Sequence, residues 1–432
     1  MSPHPGIRNL ITDYYDRFPR VIAKCANDSA AVPGFALPEL DDATRRFFSV
    51  ATAGLRALGA YRGHRLLLLD LTHNPQTNTA ETFASLLMVA RAVEHLRRWG
   101  EPVLIFSPTS ANLGIALRDS VARAHEAGLA TPEQLRVVML APAWCRAKMR
   151  AGRLDPSLNP VLLYGGDAPE NVKTVTGQFV ENFSGRLGIR LWYPREPAHH
   201  LIAHAARAFL EAEAAPTPGA APRVHAQAVS SALGLLGYNV GREVLEADRL
   251  ADPSDRPGFL LVQHLATPDM VLSLRTGDFD RDAMPAYAFD PISGLYKQDG
   301  DPHFPYECAD PCEILDPTFY ARRPATSPAM NDLIIKYGGD GIVVSRQECV
   351  ARYDRLREWI PAAPARASSL REWSLAMAVT GTVNAVDRGL IRPGVDIVIH
   401  GTGLYAAGEF TPLPDESVIQ VGSVSDIAAV LH

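Results

Sequence analysis

LLLLDLTHNPQTNTAE, running from Leu66 to Glu81, decides the architecture of this chain. Its opening belongs to a continuous apolar run of strand length, Arg65 to Leu71, the mark of a strand covered on both faces. A polar loop follows, and from Glu81 to Trp99 apolar residues return at helical spacing until Gly100 stops them. Strand, loop and long helix in that order form a crossover unit, which predicts a largely parallel sheet and an α/β fold.

Working outward, the same alternation recurs. Pro102 to Phe106 is a second short apolar strand, closed by SPTSAN and followed by a helix through about Ala127. Arg136 to Ala141, Pro160 to Tyr164 and Ile189 to Tyr193 read as further strands, each ending in small or turn-forming residues. In EAEAAPTPGAAPR, Glu211 to Arg223, Ala, Pro and Gly replace the apolar period, so a linker is expected there. HAQAVSSALGLLGYNVGREVL then reads as helix and leads into a strand from Gly258 to Gln263. A long irregular stretch extends from about Thr276 to Asp316, and Gly338, Gly339 and Gly341 form a turn from helix to strand, the reverse of a nucleotide loop. Leu370 to Arg388 reads as a helix, followed by the turn RPGV, a strand from Asp396 to His400 and the exit GTGLY. The expected division is an N-terminal segment, 1–80, packing with the large lobe; a smaller α/β lobe, 81–205; a linker, 206–223; and a large α/β lobe, 224–432.

Composition narrows the function classes. Of 432 residues, 47% are apolar and 21% charged, enough apolar material for a sizeable core. A net charge of −6 gives no basic footprint for nucleic acid. No run approaches a membrane span and the first residues have no signal-peptide core, so a cytoplasmic, membrane-free protein is expected. Five cysteines argue for reduced thiols, with Cys25, Cys145 and Cys349 as partly buried small hydrophobes. The five lysines, Lys24, Lys148, Lys173, Lys297 and Lys336, read as solvated.

Four segments, in order, resemble the threonine synthase and tryptophan synthase β-subunit group, the fold type II pyridoxal-phosphate (PLP) enzymes. HNPQTNTAE is similar to the family's loop of Pro, small residues, Phe, Lys and Asp, with Ala80 where the lysine stands. TSANLG, Thr109 to Gly114, resembles the turn whose asparagine touches the cofactor ring oxygen and whose loop holds the substrate carboxylate; Ser110 and Asn112 match it. FLLVQH, Phe259 to His264, is similar to the strand that leads into a glycine-rich phosphate cradle, here replaced by HLATPD, in which Pro268 lacks a donor. VDIVIHGTGLY resembles the strand that presents a partner to the pyridine nitrogen, with His400 at that point. Covering roughly residues 60–430, the resemblance implies two lobes, each with a mostly parallel sheet flanked by helices, a cleft between them, and a homodimer.

In open sheets, ligands bind at the carboxyl ends of strands. That rule selects His73, Asn74, Gln76, Thr77, Asn78, Thr79 and Glu81, then Thr109, Ser110 and Asn112, then His264, Thr267 and Asp269, and lastly His400, Thr402 and Tyr405. His264, His400 and Glu81 are the candidate acid and base groups, since imidazole titrates near neutrality; a strand-end His bonded to a loop carbonyl, or a Glu favoured by a helix dipole, is the plainer reading. Arg322 and Arg323, beside Thr326 and Ser327 and just ahead of a helix start, are candidates for binding a carboxylate or phosphate. His303, Cys308 and Cys312 are a candidate metal set without a fourth ligand, so no metal is expected. His200 and His204 read as surface or interlobe histidines. The expected function is a threonine-synthase-like enzyme acting on an amino acid, or a small phosphorylated or acylated derivative, by elimination, replacement or condensation without lysine-bound PLP. PLP held noncovalently with a substrate-derived aldimine, and a non-catalytic amino-acid-binding paralogue or partner subunit, are the alternatives.

Overall fold

The computed structural model describes residues 6–28, 35–166, 171–183, 185–186, 188–193, 197–214 and 221–431. A short strand β1 (Arg8–Asn9) and helices α1 (Phe18–Asp28) and α2 (Asp42–Phe47) precede a hairpin of β2 (Thr52–Tyr61) and β3 (His64–Asp70). Next come α3 (Glu81–Trp99), β4 (Val103–Pro108), α4 (Asn112–Glu126), β5 (Leu135–Pro142), β6 (Val161–Tyr164), α5 (Asn171–Phe183), β7 (Arg190–Trp192) and α6 (Ala198–Ala214). The chain continues through β8 (Arg223–Ala228), α7 (Leu233–Ala247), β9 (Gly258–His264) and α8 (Asp269–Thr276), then the small strands β10 (Ala288–Asp290), β11 (Leu295–Lys297) and β12 (Glu307–Cys308). It closes with α9 (Ser327–Tyr337), β13 (Gly339–Val344), α10 (Arg346–Ala351), α11 (Tyr353–Trp359), β14 (Leu370–Glu372), α12 (Ser374–Asp387), β15 (Asp396–Gly401), β16 (Tyr405–Ala406), β17 (Val418–Val421) and α13 (Val424–Leu431).

These elements form two compact units. The larger comprises Met1–Leu10, Thr52–His73 and His204–Ala407; the smaller comprises Ile11–Ala51, Asn74–Ala203 and Gly408–His432. The smaller unit carries a five-stranded sheet in the order β17-β6-β5-β4-β7, parallel throughout. In the larger unit a seven-stranded sheet runs β1-β2-β3-β15-β8-β9-β13, parallel from β3 onward. Parallel strands need crossover helices, and those helices cover both faces, so β8, β9 and β15 are buried almost throughout rather than alternating.

Strand parity in the larger sheet decides where its polar residues go. Ile397 and Ile399 of β15, Ala226 and Ala228 of β8, and Leu260 and Val262 of β9 all join one core with α12. Successive side chains alternate between faces, so His400, His225 and Gln227 turn toward the opposite face, whereas His264 shares the α12 face. Two glycines permit close packing: a Cβ on Gly381 of α12 would stand 2.5 Å from Val262, and one on Gly241 of α7 would stand 2.1 Å from the carbonyl oxygen of Ala205 on α6.

Several expectations change. Helix α6 continues to Ala214, so the first half of the expected linker is helical, while 215–220 lie outside the described residues. His225 to Ala228, read as helix, are strand: Ala226 and Ala228 face the core, and alternation through such small residues gives a faint signal. Leu370–Glu372 is strand β14 and the helix starts at Ser374. The stretch 276–316 carries a three-stranded antiparallel sheet, β10-β11-β12. Residues 408–432, placed with the large lobe on sequence, supply β17 and α13 to the smaller unit.

Candidate functional site

In the smaller unit the loop ahead of α3 is held by its own polar side chains. Asn74 Nδ2 donates to Thr82 Oγ1 (3.2 Å) and to Asp119 Oδ2 on α4 (3.0 Å), while Asn74 Oδ1 accepts from the Gln76 N–H (3.1 Å). The hydroxyls of Thr77 and Thr82 lie 2.6 Å apart. Arg150 Nη1 donates to the Gln76 carbonyl (3.0 Å) and to Asn78 Oδ1 (3.1 Å), which fixes Asn78 in left-handed backbone with φ 53°. Thr79 and Ala80 are buried, and Glu81 is half-buried in the first turn of α3, where the helix dipole favours an acid.

The second loop of this unit leads into α4. Thr109 Oγ1 accepts from the Ala111 N–H (3.1 Å) and the Gly114 N–H (3.0 Å), so it is spent as a cap. Ala111 sits at φ 100°, a conformation that favours glycine. Ser110 and Asn112 flank it at the helix start, half-buried and buried.

In the larger unit, His264 ends β9 and is fully buried. Its Nε2 lies 3.1 Å from the Phe319 carbonyl and 3.2 Å from Thr267 Oγ1, and its Nδ1 accepts from the Ala266 N–H (3.3 Å). Both ring nitrogens thus serve the loop, and burial lowers the imidazole pKa, keeping it neutral. Directly after it, the N-terminus of α8 is filled from within. Gln263 Oε1, fully buried, accepts from the Met270 N–H (2.9 Å) and the Val271 N–H (3.0 Å). The Thr267 N–H donates to the His264 carbonyl (3.1 Å), and Pro268 has no N–H. Asp269, 1% exposed, places its carboxylate in this first turn, accepting from Arg322 Nε (3.0 and 3.1 Å) and from the Arg323 N–H (2.9 Å). Arg322 is thereby tied to Asp269 through Nε and Arg323 through its backbone N–H, while both side chains are exposed.

His400 lies elsewhere, under α6 and α7. Arg207 Nη1 donates to His400 Nδ1 (3.0 Å) and to Gln227 Oε1 (2.8 Å), and Arg207 Nη2 donates to His204 Nδ1 (2.9 Å). Guanidinium is donor-only, so Nδ1 of His400 must accept and its Nε2 carries the proton. That proton points at His225 Nδ1 (2.8 Å), which leaves His225 Nε2–H facing Glu211 Oε1 (3.3 Å). Tyr238 donates its hydroxyl to Glu211 Oε2. One donor at the start therefore fixes every tautomer along the chain of bonds. Burial, with His225 and Arg207 alongside, drives the His400 pKa well below its usual value. Burial pushes the Glu211 carboxyl up, but His225, Arg223 and the Tyr238 hydroxyl outweigh it and bring it to about 2.

Within the larger unit the two sequence-selected histidines do not converge. His264 and His400 occupy opposite faces of one sheet, each fully buried, which corrects the expectation of an acid and base pair. Thr402 is half-buried and Tyr405, in β16, fully buried. His303 bonds to Asp301 (3.1 Å) and Asp340 (3.3 Å), Cys308 is buried and Cys312 exposed; among the described residues no group of three metal-ligating side chains forms. His204, read as a surface or interlobe histidine, is buried beside Arg207, and Lys148, read as solvated, is 3% exposed. Arg207, Glu211, His225, Tyr238 and Gln263 were not selected on sequence. Their signals were faint: the i, i+4 spacing of Arg207 and Glu211, and a lone glutamine inside FLLVQH.

A family model described as a family of unknown function (DUF6002) matches residues 6–432. The chain belongs to the DUF6002 family. No curated protein matches its sequence. Among solved structures, this DUF6002 member is similar to threonine synthase from Escherichia coli, with 13% identity and a TM-score of 0.59 over 98% of this chain and 90% of the other. Threonine synthase from yeast aligns at 11% identity and TM-score 0.57, over 100% of this chain and 91% of that one. The PLP-bound threonine synthase from Brucella melitensis aligns at 12% and 0.57, covering 100% and 92%. At such identities the likeness shows the fold alone: an α/β architecture of parallel sheets flanked by helices, shared with the fold type II PLP enzymes. No helix among the described residues is long and apolar enough to cross a membrane.

Proposed function

We propose that this DUF6002 chain keeps a threonine-synthase-like body but works without lysine-bound PLP, acting on an amino acid or a small phosphorylated or acylated derivative by elimination, replacement or condensation. The structural neighbours include a PLP-bound threonine synthase, so PLP is the first ligand to test. The observation that carries the reading is the filled N-terminus of α8. A phosphate at a helix N-terminus needs free N–H groups and no competing negative charge. Here Gln263 takes two of those N–H groups, Pro268 supplies none, and the Asp269 carboxylate already occupies the first turn. Ala80 stands where the resemblance would put the lysine, and a methyl group forms no Schiff base. These residues do not fit a lysine-bound PLP. The half-buried Ser110 at the start of α4 is the candidate to meet a ligand carboxylate, and of His264, His400 and Glu81 only Glu81 is not fully buried.

A second reading, a non-catalytic amino-acid-binding paralogue, draws support from the burial of both candidate histidines. The cofactor question comes first. The absorbance spectrum of the purified protein is taken with added PLP, before and after borohydride reduction, followed by intact-mass analysis. A colourless protein with no mass adduct is expected. A yellow band with a reducible adduct on any of the five lysines, the buried Lys148 foremost, overturns the proposal. Turnover lost in Glu81→Gln while ligand-induced thermal stabilisation persists separates the enzyme from the pure binder.

A further inference from the structure

At the amino ends of β8, β9, β13 and β15, opposite to the filled loop after β9, the larger unit holds a cavity of about 480 Å³. That volume is within the usual range for small-molecule sites. Its apolar lining is Val224 and Leu390, both part-exposed, with the buried Leu260, Ile391 and Val395, and backbone lines it at Gly338 and Gly339, both at positive φ. Four cations line it, Arg223, Arg256, Lys336 and Arg392, against one carboxylate, Asp340. Asp340 is already engaged by His303 Nε2 (3.3 Å) and the Gly341 N–H (2.7 Å).

The four cations divide into two kinds. Arg223 and Arg256 are held from behind: Arg223 by Glu211 (3.4 Å) and Asp255 (2.8 Å), Arg256 by Glu246 and by Glu243 (3.7 Å). Lys336 and Arg392 form no ion pair among the described residues and are exposed. Lys336 in the last turn of α9 also complements the helix dipole, so alone it would signify little. Arg392 lies outside any helix and has no such role.

We propose that this cavity binds a small anionic metabolite with an apolar body and a phosphate or carboxylate head, the head meeting Lys336 and Arg392 and the body lying on Val224 and Leu390. Nothing in the proposal depends on the reading of the PLP question, because the cavity lies at the other end of the strands.

Phenyl phosphate is the probe, titrated calorimetrically into the full chain at low salt and at a pH above the second phosphate ionisation, with inorganic phosphate and phenol as comparators. Saturable binding of phenyl phosphate is expected, tighter than inorganic phosphate, and weakened on the order of tenfold or more in the Lys336→Gln/Arg392→Gln double variant. Absence of saturable binding to the unmodified chain, or affinity unchanged in the double variant, overturns the proposal. Equal affinity for inorganic phosphate overturns its apolar half. Both substituted residues are exposed, so a cooperative melt close to that of the unmodified chain shows that lost binding is not lost folding.

Discussion

The two ends of the seven-stranded sheet solve opposite problems. At the carboxyl ends of β8, β9 and β15, four polar side chains are bonded to the protein itself: Gln263 to the α8 amides, Asp269 to Arg322, His264 to its own loop, and His400 to Arg207 and His225. At the amino ends, Lys336, its ammonium 5.0 Å from the centre of the Tyr337 ring, and Arg392 stand around open space without an ion pair among the described residues. The lesson is that polarity alone does not mark a site. A buried polar cluster whose donors and acceptors all close on one another is structure, and substitutions there should cost stability; an open cluster should cost binding.

The sharpest way to break this contrast is Arg207→Met. It leaves His400 Nδ1, His204 Nδ1 and Gln227 Oε1 without their donor inside a core, and the expected loss is roughly 3–5 kcal/mol, read by chemical denaturation. A loss under ~1 kcal/mol would mean that the network is not closed. Next is Gln263→Leu, which keeps volume but strands two buried amides of α8; about 3 kcal/mol is expected. If the variant instead gains affinity for inorganic phosphate without losing stability, the filled helix end is a suppressed anion site rather than a structural plug.

Acid should act on the same end. His400 has its folded pKa below its unfolded value of 6.5, so the unfolded chain binds the extra proton first. Its stability contribution is complete above that value and falls by about 1.4 kcal/mol per pH unit below it. His264 adds in the same direction. Glu211 is also depressed, from 4.5 to about 2, so its contribution is lost between those two values. The melting temperature should therefore drop as pH falls below 6.5, and His400→Gln should flatten the first part of that drop. A profile flat down to pH 4.5 would show that these imidazoles gain no protection from burial.

The crossover fold was legible because long apolar periods survive any local detail: Glu81 to Trp99 and the β5 strand stand in the structure almost where the periodicity puts them. The site was legible only in part, because a residue list does not say which face a strand residue takes until register is known. His264 and His400 look equivalent as strand-end histidines, yet one residue of parity separates the α12 face from the α6–α7 face. Arg207 and Glu211 were hidden by an Ala-rich stretch whose first part is helix α6, and Gln263 by the apolar run around it.

The smallest expected effect is the one that sharpens the contrast most. Lys336→Gln/Arg392→Gln removes two exposed charges without ion pairs among the described residues, of which Lys336, a last-turn cation on α9 over the Tyr337 ring, is worth about 0.3–1 kcal/mol. The unfolding free energy should therefore change by no more than that, while Arg207→Met and Gln263→Leu leave affinity for phenyl phosphate unchanged once the protein is folded. The two sets of variants then separate cleanly, stability at one end of the strands and binding at the other. A double variant that unfolds the chain would instead place Lys336 and Arg392 in the same structural class as Arg207, and the open end would be no different in kind from the filled one.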